Sequence, residues 1–129
     1  MDLTGRSVLV TGAYGLLGSH IDPASAGRYN QWFVEAGVDA VAVPFVTSDS
    51  ADRVVTAYRR LPVAGWHIAD DLAQRQVVGA VDHPSETARR RGRVNAISLA
   101  DDVLVGDWVE SAEAELELWF GHSARLASA

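Results

Sequence analysis

Val8-Leu9-Val10-Thr11-Gly12-Ala13-Tyr14-Gly15-Leu16-Leu17-Gly18 decides how the rest of the chain is read. Ser7 to Thr11 is a β-rich run and reads as a first strand. The glycines Gly12, Gly15 and Gly18 follow it. Such a triad after a strand lets a pyrophosphate approach a helix N-terminus. The surrounding residues argue against that use. A helix running straight on from Gly18 would meet Pro23 in its second turn, where proline breaks the hydrogen-bond ladder. A dinucleotide site also needs a charged residue closing the second strand to meet the ribose, and that strand ends in Pro44-Phe45.

The chain has 129 residues, 48% of them hydrophobic and 22% charged, which fits a single globular domain over 1–129. Its formal net charge is -6, so phosphate backbones and anionic membranes are poor partners. The local basic run Arg89-Arg90-Arg91-Gly92-Arg93 reads as a solvated helix end. Cysteine is absent, which excludes disulfides, thiolate catalysis and zinc–sulfur sites and makes the cytoplasm the expected compartment. The N-terminus shows no apolar signal core, and no apolar run approaches the roughly 20 residues that span a bilayer. All 11 basic residues are arginines. The absence of lysine removes Schiff-base chemistry and the phosphate-binding lysine of a P-loop.

Pro23 to Ala36 reads as a helix, with Tyr29, Trp32, Phe33 and Ala36 at helical spacing and Gly37 as its stop. Asp39 to Phe45 reads as a buried strand. Ser48-Asp49-Ser50 supplies caps for a helix from about Ala51 to Leu61. A third strand runs from Pro62 to Ala69, a helix from Asp71 to Val78, and another helix from Pro84 to Arg91. Val94–Leu99 and Val103–Asp107 form a strand pair around the Ala100-Asp101-Asp102 turn, and Glu110 to Phe120 is a final helix. This alternation predicts a three-layer α/β/α sandwich with a mostly parallel sheet and a late antiparallel element.

Two resemblances bear on function. The glycine-rich stretch is similar to the dinucleotide fingerprint of extended short-chain dehydrogenases, but their Tyr-x-x-x-Lys motif is impossible without lysine and the chain is much shorter. The same segment, Tyr14-Gly15-Leu16-Leu17-Gly18, also resembles the opening strand and turn of the shikimate dehydrogenase substrate-binding domain. Asn30-Gln31-Trp32-Phe33, Gly37-Val38-Asp39-Ala40-Val41-Ala42-Val43-Pro44-Phe45 and Ala64-Gly65-Trp66-His67-Ile68-Ala69 follow in the family's order. Gly92-Arg93-Val94-Asn95-Ala96 and Leu104-Val105-Gly106-Asp107-Trp108 complete the likeness. It implies a substrate pocket at the carboxyl ends of the parallel strands. It also implies departures: Ala73 stands where the family has its catalytic lysine, Glu110 where it has the partner Asp, His67 for a substrate-binding Asn, Ala69 for a Thr, and Pro23 for a Ser. Ser25 and Asn95 persist. The expectation is a stand-alone substrate-binding domain, without the nicotinamide-binding domain and unable to act as a shikimate dehydrogenase.

On this reading His67 and Glu110 are the candidate catalytic pair, because imidazole titrates near neutrality and a carboxylate can hold its tautomer. Tyr14, Ser25, Tyr29, Asn95, Asp107 and Trp108 are the candidate substrate-binding residues. Aromatic and small apolar groups replace hydroxyl-reading ones, which suggests a ligand more apolar than a polyol acid. The expected function is a cofactor-independent enzyme of specialised metabolism, a cyclase, isomerase or dehydratase. The alternatives are a catalytically dead ligand-binding or regulatory protein, and an NAD(P)-dependent reductase using Gly12, Gly15 and Gly18. No cofactor is expected. His67 with Asp70 and Asp71 lacks a recognisable metal geometry, so no metal is expected either. Leu116, Trp119 and Phe120 put apolar bulk on the last helix, and a homodimer is expected to cover it.

Overall fold

A computed structural model describes residues 12–47, 50–59 and 63–128. The expected strand over Ser7–Thr11 and the caps Ser48 and Asp49 lie outside the described residues. The glycine-rich stretch is itself a strand, β1 (Gly12–Gly18). It pairs in parallel with β2 (Ala40–Val46) on one side and with β3 (Val63–Ile68) on the other. β4 (His83–Pro84), β5 (Ala96–Ala100) and β6 (Val103–Asp107) complete a six-stranded sheet of order β2-β1-β3-β5-β6-β4. Only β5 runs against its neighbours. The β5–β6 hairpin turns on Asp101 and Asp102, both with positive φ (52° and 65°), a conformation that Asp tolerates better than most side chains.

α1 (Pro23–Ala36) has the bounds that its sequence predicts. The Asp22 carboxylate accepts from the Ala24 amide at 3.0 Å, Pro23 sits in the first turn, and Gly37 stops the helix at φ 72°. The amides of Gly37 and Val38 then close on the carbonyls of Val34 and Phe33. Asn30 points from α1 at the outer edge of β2, where its Oδ1 accepts from the Ala42 amide at 2.8 Å. Pro44, two residues on, has no amide to offer. One edge of the sheet is thereby blunted against pairing with another chain.

α2 (Ala51–Ala57) is shorter than its sequence suggests. Ser50 occupies its N-cap position without a side-chain cap bond, and Gln76 Oε1 takes the Ala51 amide instead at 2.9 Å. α3 (Asp71–Gln76) passes into a 3₁₀ turn over Val77–Ala80. α4 (Glu86–Arg91) starts after the Ser85 cap, so Pro84, expected to open the helix, belongs with His83 to the sheet. α5 (Ala112–Ser128) opens with Ser111 Oγ accepting from the Ala114 amide, which leaves Glu110 ahead of the helix rather than in it.

Alternation along β1 and β3 divides the side chains between two apolar layers. Leu17, Trp66 and Ile68 pack with α2, α3 and α4 on one face. Tyr14 and Leu16 pack with Tyr29 and Phe33 of α1 and Trp119 and Phe120 of α5 on the other. The three-layer α/β/α architecture follows. Trp119 and Phe120 are buried against their own chain, and Leu116 is partly buried beside them.

Candidate active site

His67 lies near the carboxyl end of β3, between Trp66 and Ile68, which both point into the opposite layer. The pleat therefore turns His67 toward α1 and α5. α5 is held down by Trp119, whose Nε1 donates to the Ile97 carbonyl at 3.0 Å and whose ring lies 4.6 Å from that of Tyr14. One turn earlier on the same stripe α5 carries Glu115, the buried charged residue of the core at 2% exposure. Its carboxylate meets two partners. Oε2 lies 2.8 Å from His67 Nδ1, and Oε1 accepts a short hydrogen bond from the Tyr29 hydroxyl. The Tyr29 and His67 rings are 5.5 Å apart.

A carboxylate can only accept, so the hydrogen between Glu115 and His67 belongs to Nδ1. That assignment leaves Nε2 as the free ring nitrogen. The His67 side chain remains 30% exposed and lines two cavities. Burial first, then the charge and hydrogen bond of Glu115, push the Tyr29 hydroxyl far above the ordinary tyrosine range, with Arg28 opposing. Tyr29 therefore stays protonated and stays a donor.

The first cavity is an open cleft of about 490 Å³. Tyr29, His67 and Glu115 form its inner wall, and Asn95, Trp108 and Val109 its lip. Asn95 clamps that lip: Nδ2 donates to the Val109 carbonyl and Oδ1 accepts from the Val109 amide, each at 2.8 Å. Asp107 accepts from the Ser85 hydroxyl at 2.6 Å and from the Trp108 amide at 2.8 Å. The Arg91 and Arg93 guanidinium carbons lie 5.3 and 5.8 Å from the centre of the Trp108 ring. Trp108 Nε1 is buried with no partner among the described residues. A second cavity, of about 370 Å³, lies on the other side of Tyr29 and His67 and holds Ser25, bonded to Arg28 at 3.2 Å.

The structure thus brings together Tyr29, His67, Asn95, Trp108 and Glu110 at one cleft and places Ser25 in the adjoining one. It corrects the expected pairing. Glu110 reaches Arg91 at 2.9 Å on the rim, with 71% of its side chain exposed, and the carboxylate on His67 is Glu115. Asp107 takes both Ser85 and the Trp108 amide on Oδ1 and, like Tyr14, lines none of the described cavities. Tyr14 is a core residue whose burial pushes its hydroxyl up to about 12. Glu115 had a signal in the sequence. Ala112, Glu115, Leu116, Trp119 and Phe120 recur at helical spacing, and an acid in an apolar stripe needs a partner.

The glycines do not fit a dinucleotide. They are paired strand residues, and the Trp66 ring occupies the space over Gly15. Asp70 caps α3 and accepts from the Ser19 amide and hydroxyl. Burial raises its pKa, and the bonds from Ala73 and Ser19 together outweigh that and hold the carboxyl below its usual range. Among the described residues no group of acids and histidines could hold a metal. Ala73, where the resemblance puts lysine, is the buried residue of α3 itself and belongs to the apolar core.

No protein-family model matches the chain, and no curated protein matches it. Solved structures do. A shikimate dehydrogenase in complex with NADP+ is 23% identical over 84% of this chain and 38% of its own, with a TM-score of 0.70. The chain has the fold of the shikimate dehydrogenase amino-terminal domain. The Listeria monocytogenes shikimate 5-dehydrogenase in complex with shikimate and NAD is 27% identical over 83% of this chain and 36% of its own, at a TM-score of 0.68. A quinate dehydrogenase from Corynebacterium glutamicum in complex with NAD is 18% identical over 74% and 36%, at 0.65. The chain therefore spans 36–38% of the length of these oxidoreductases.

Proposed function

We propose that this protein is a cofactor-independent small-molecule enzyme in which His67 moves a proton at a carbon acid bound in the larger cleft. One observation carries the reading: a buried carboxylate, Glu115, is bonded at once to His67 Nδ1 and to the Tyr29 hydroxyl. A buried charge is costly unless it is paired and hydrogen-bonded, and here both oxygens are engaged. The arrangement fixes the tautomer, presents the Nε2 lone pair and stabilises the imidazolium formed when that lone pair takes a proton.

The chemistry balances without an external reductant. Nε2 removes a proton from carbon and leaves its electron pair in an enolate. Returning the proton to a different carbon gives an isomer. Expelling a β-hydroxyl, which leaves as water with that proton, gives a dehydrated product. Attack of the enolate carbon on a carbonyl within the same ligand, with the proton passing to the new alkoxide, closes a ring.

The reading is tested by deuterium incorporation from D₂O into carbonyl compounds with an acidic C–H, followed by NMR. His67→Ala and Glu115→Gln should each slow exchange by about 10²–10⁴-fold. Exchange that persists at the wild-type rate in both variants overturns it.

A further inference from the structure

We infer that the larger cleft takes an uncharged, largely apolar cyclic carbonyl compound and rejects polyhydroxylated acids. This rests on the proton-transfer reading only for the place of the reacting atom.

The argument is an account of polar groups. Each charged or amide side chain that lines the cleft already has a partner within the protein. Arg91 is paired with Glu110 at the solvent-exposed rim and lies against Trp108. Both ends of the Asn95 amide are taken by Val109. Both oxygens of Glu115 are taken by Tyr29 and His67. The Ser111 hydroxyl accepts from the Ala114 amide.

A carboxylate on a ligand would find no unpaired cation along this wall and would face Glu115. Several ring hydroxyls would give up water for few fixed partners, which penalises a polyol. What remains open is the Trp108 ring, Val109, Ala112 and the His67 ring nitrogen. One donor, Trp108 Nε1, is buried and has no partner among the described residues. A ketone carbonyl supplies one acceptor without charge, and the same carbonyl acidifies the neighbouring C–H that His67 would take. The volume, about 490 Å³, suits a ring system of drug-like size.

The test uses 2-tetralone, an uncharged bicyclic ketone, against 2-naphthoate, a bicyclic anion of matching size, and shikimate, a polyol acid. Binding to the full chain is measured by NMR titration, with the Trp108 indole N–H and the His67 ring as reporters. 2-Tetralone should bind at least tenfold more tightly than either anion. Ala112→Trp, which fills the cleft from the first turn of α5, should weaken it at least tenfold with the fold intact by circular dichroism. Should Ala112→Trp fail to fold, Val109→Asp gives the same reading from the lip. Tighter binding of either anion, or a 2-tetralone affinity indifferent to these substitutions, overturns the inference. α-Carbon deuterium exchange is read on the same wild-type samples. Binding without exchange sinks the proton-transfer reading and leaves this one standing, whereas anion preference with exchange does the reverse.

Discussion

The indole of Trp66 packs against Gly15, so that a methyl group at Gly15 would sit 2.4 Å from Trp66 Cε3. Phe45 and Tyr58 hold that ring edge-on from the same layer, at 4.9 and 6.2 Å between centres. It has nowhere to move. Gly15→Ala should therefore destabilise the fold by about 1–3 kcal/mol, the cost of overpacking a core. Gly27→Ala is the control: it lies in α1 with nothing within 4 Å and should stabilise by about 0.5–1 kcal/mol. Urea unfolding of the two variants decides it. Equal effects would mean that the Trp66 ring does not fill the space over Gly15.

That contact also marks where the sequence was legible. Helix α1 could be read to the residue, because Asp22, Pro23 and Gly37 are local signals. The glycine stretch could not, since a loop that admits a phosphate and a strand that admits an indole use the same residue. Only the partner, 51 positions away in Trp66, separates them. The same holds at the site. His67 stands out as a residue type, but motif order points to Glu110 for its carboxylate. The chain supplies it from Glu115, which helical phase and the Trp119 anchor bring to the cleft.

Tyr29 and Glu115 should be energetically coupled. Tyr29→Phe leaves one Glu115 oxygen buried and unmet, at a cost of about 1–3 kcal/mol. Glu115→Leu leaves the Tyr29 hydroxyl and His67 Nδ1 unmet, at a similar cost. The double variant replaces both partners of one bond, so its cost should fall short of the sum by about 0.5–2 kcal/mol. Glu110→Gln, on the exposed rim, should change stability by no more than about 0.5 kcal/mol. Additive single and double variants would show that the bond contributes nothing.

Alkaline titration should expose the buried tyrosines. In the unfolded chain Tyr14 and Tyr29 titrate near 10. In the folded chain both are raised, Tyr14 to about 12 and Tyr29 beyond it. Below pH 10 neither state ionises and stability is independent of these groups. As pH rises past 10 the unfolded chain releases protons that the folded chain keeps, so stability falls toward pH 12. Tyr14 alone accounts for roughly 2–3 kcal/mol of that loss. The window is clean, because the chain contains neither lysine nor cysteine. Tyr14→Phe should flatten the decline in pH-dependent urea midpoints, and an unchanged slope would place Tyr14 at the surface.

Asn95 should govern the lip of the cleft rather than contact a ligand through its amide. Its carboxamide completes a two-bond ring with the backbone of Val109, at 2.8 Å in each direction, and has no capacity left on either the amine hydrogen facing Val109 or the carbonyl lone pair it offers. Asn95→Ala frees the Val109 amide and carbonyl at the edge of water, where solvent can replace both bonds. The global cost should therefore stay near 1 kcal/mol while the local effect is larger. Hydrogen exchange at the Val109 amide should accelerate by at least tenfold, and 2-tetralone affinity should drop with it. Asn95→Asp keeps the acceptor for the Val109 amide and loses the donor to its carbonyl, so it should fall between wild type and Asn95→Ala in both measurements. Slow Val109 exchange in Asn95→Ala, with weakened binding, would instead return Asn95 to direct ligand contact.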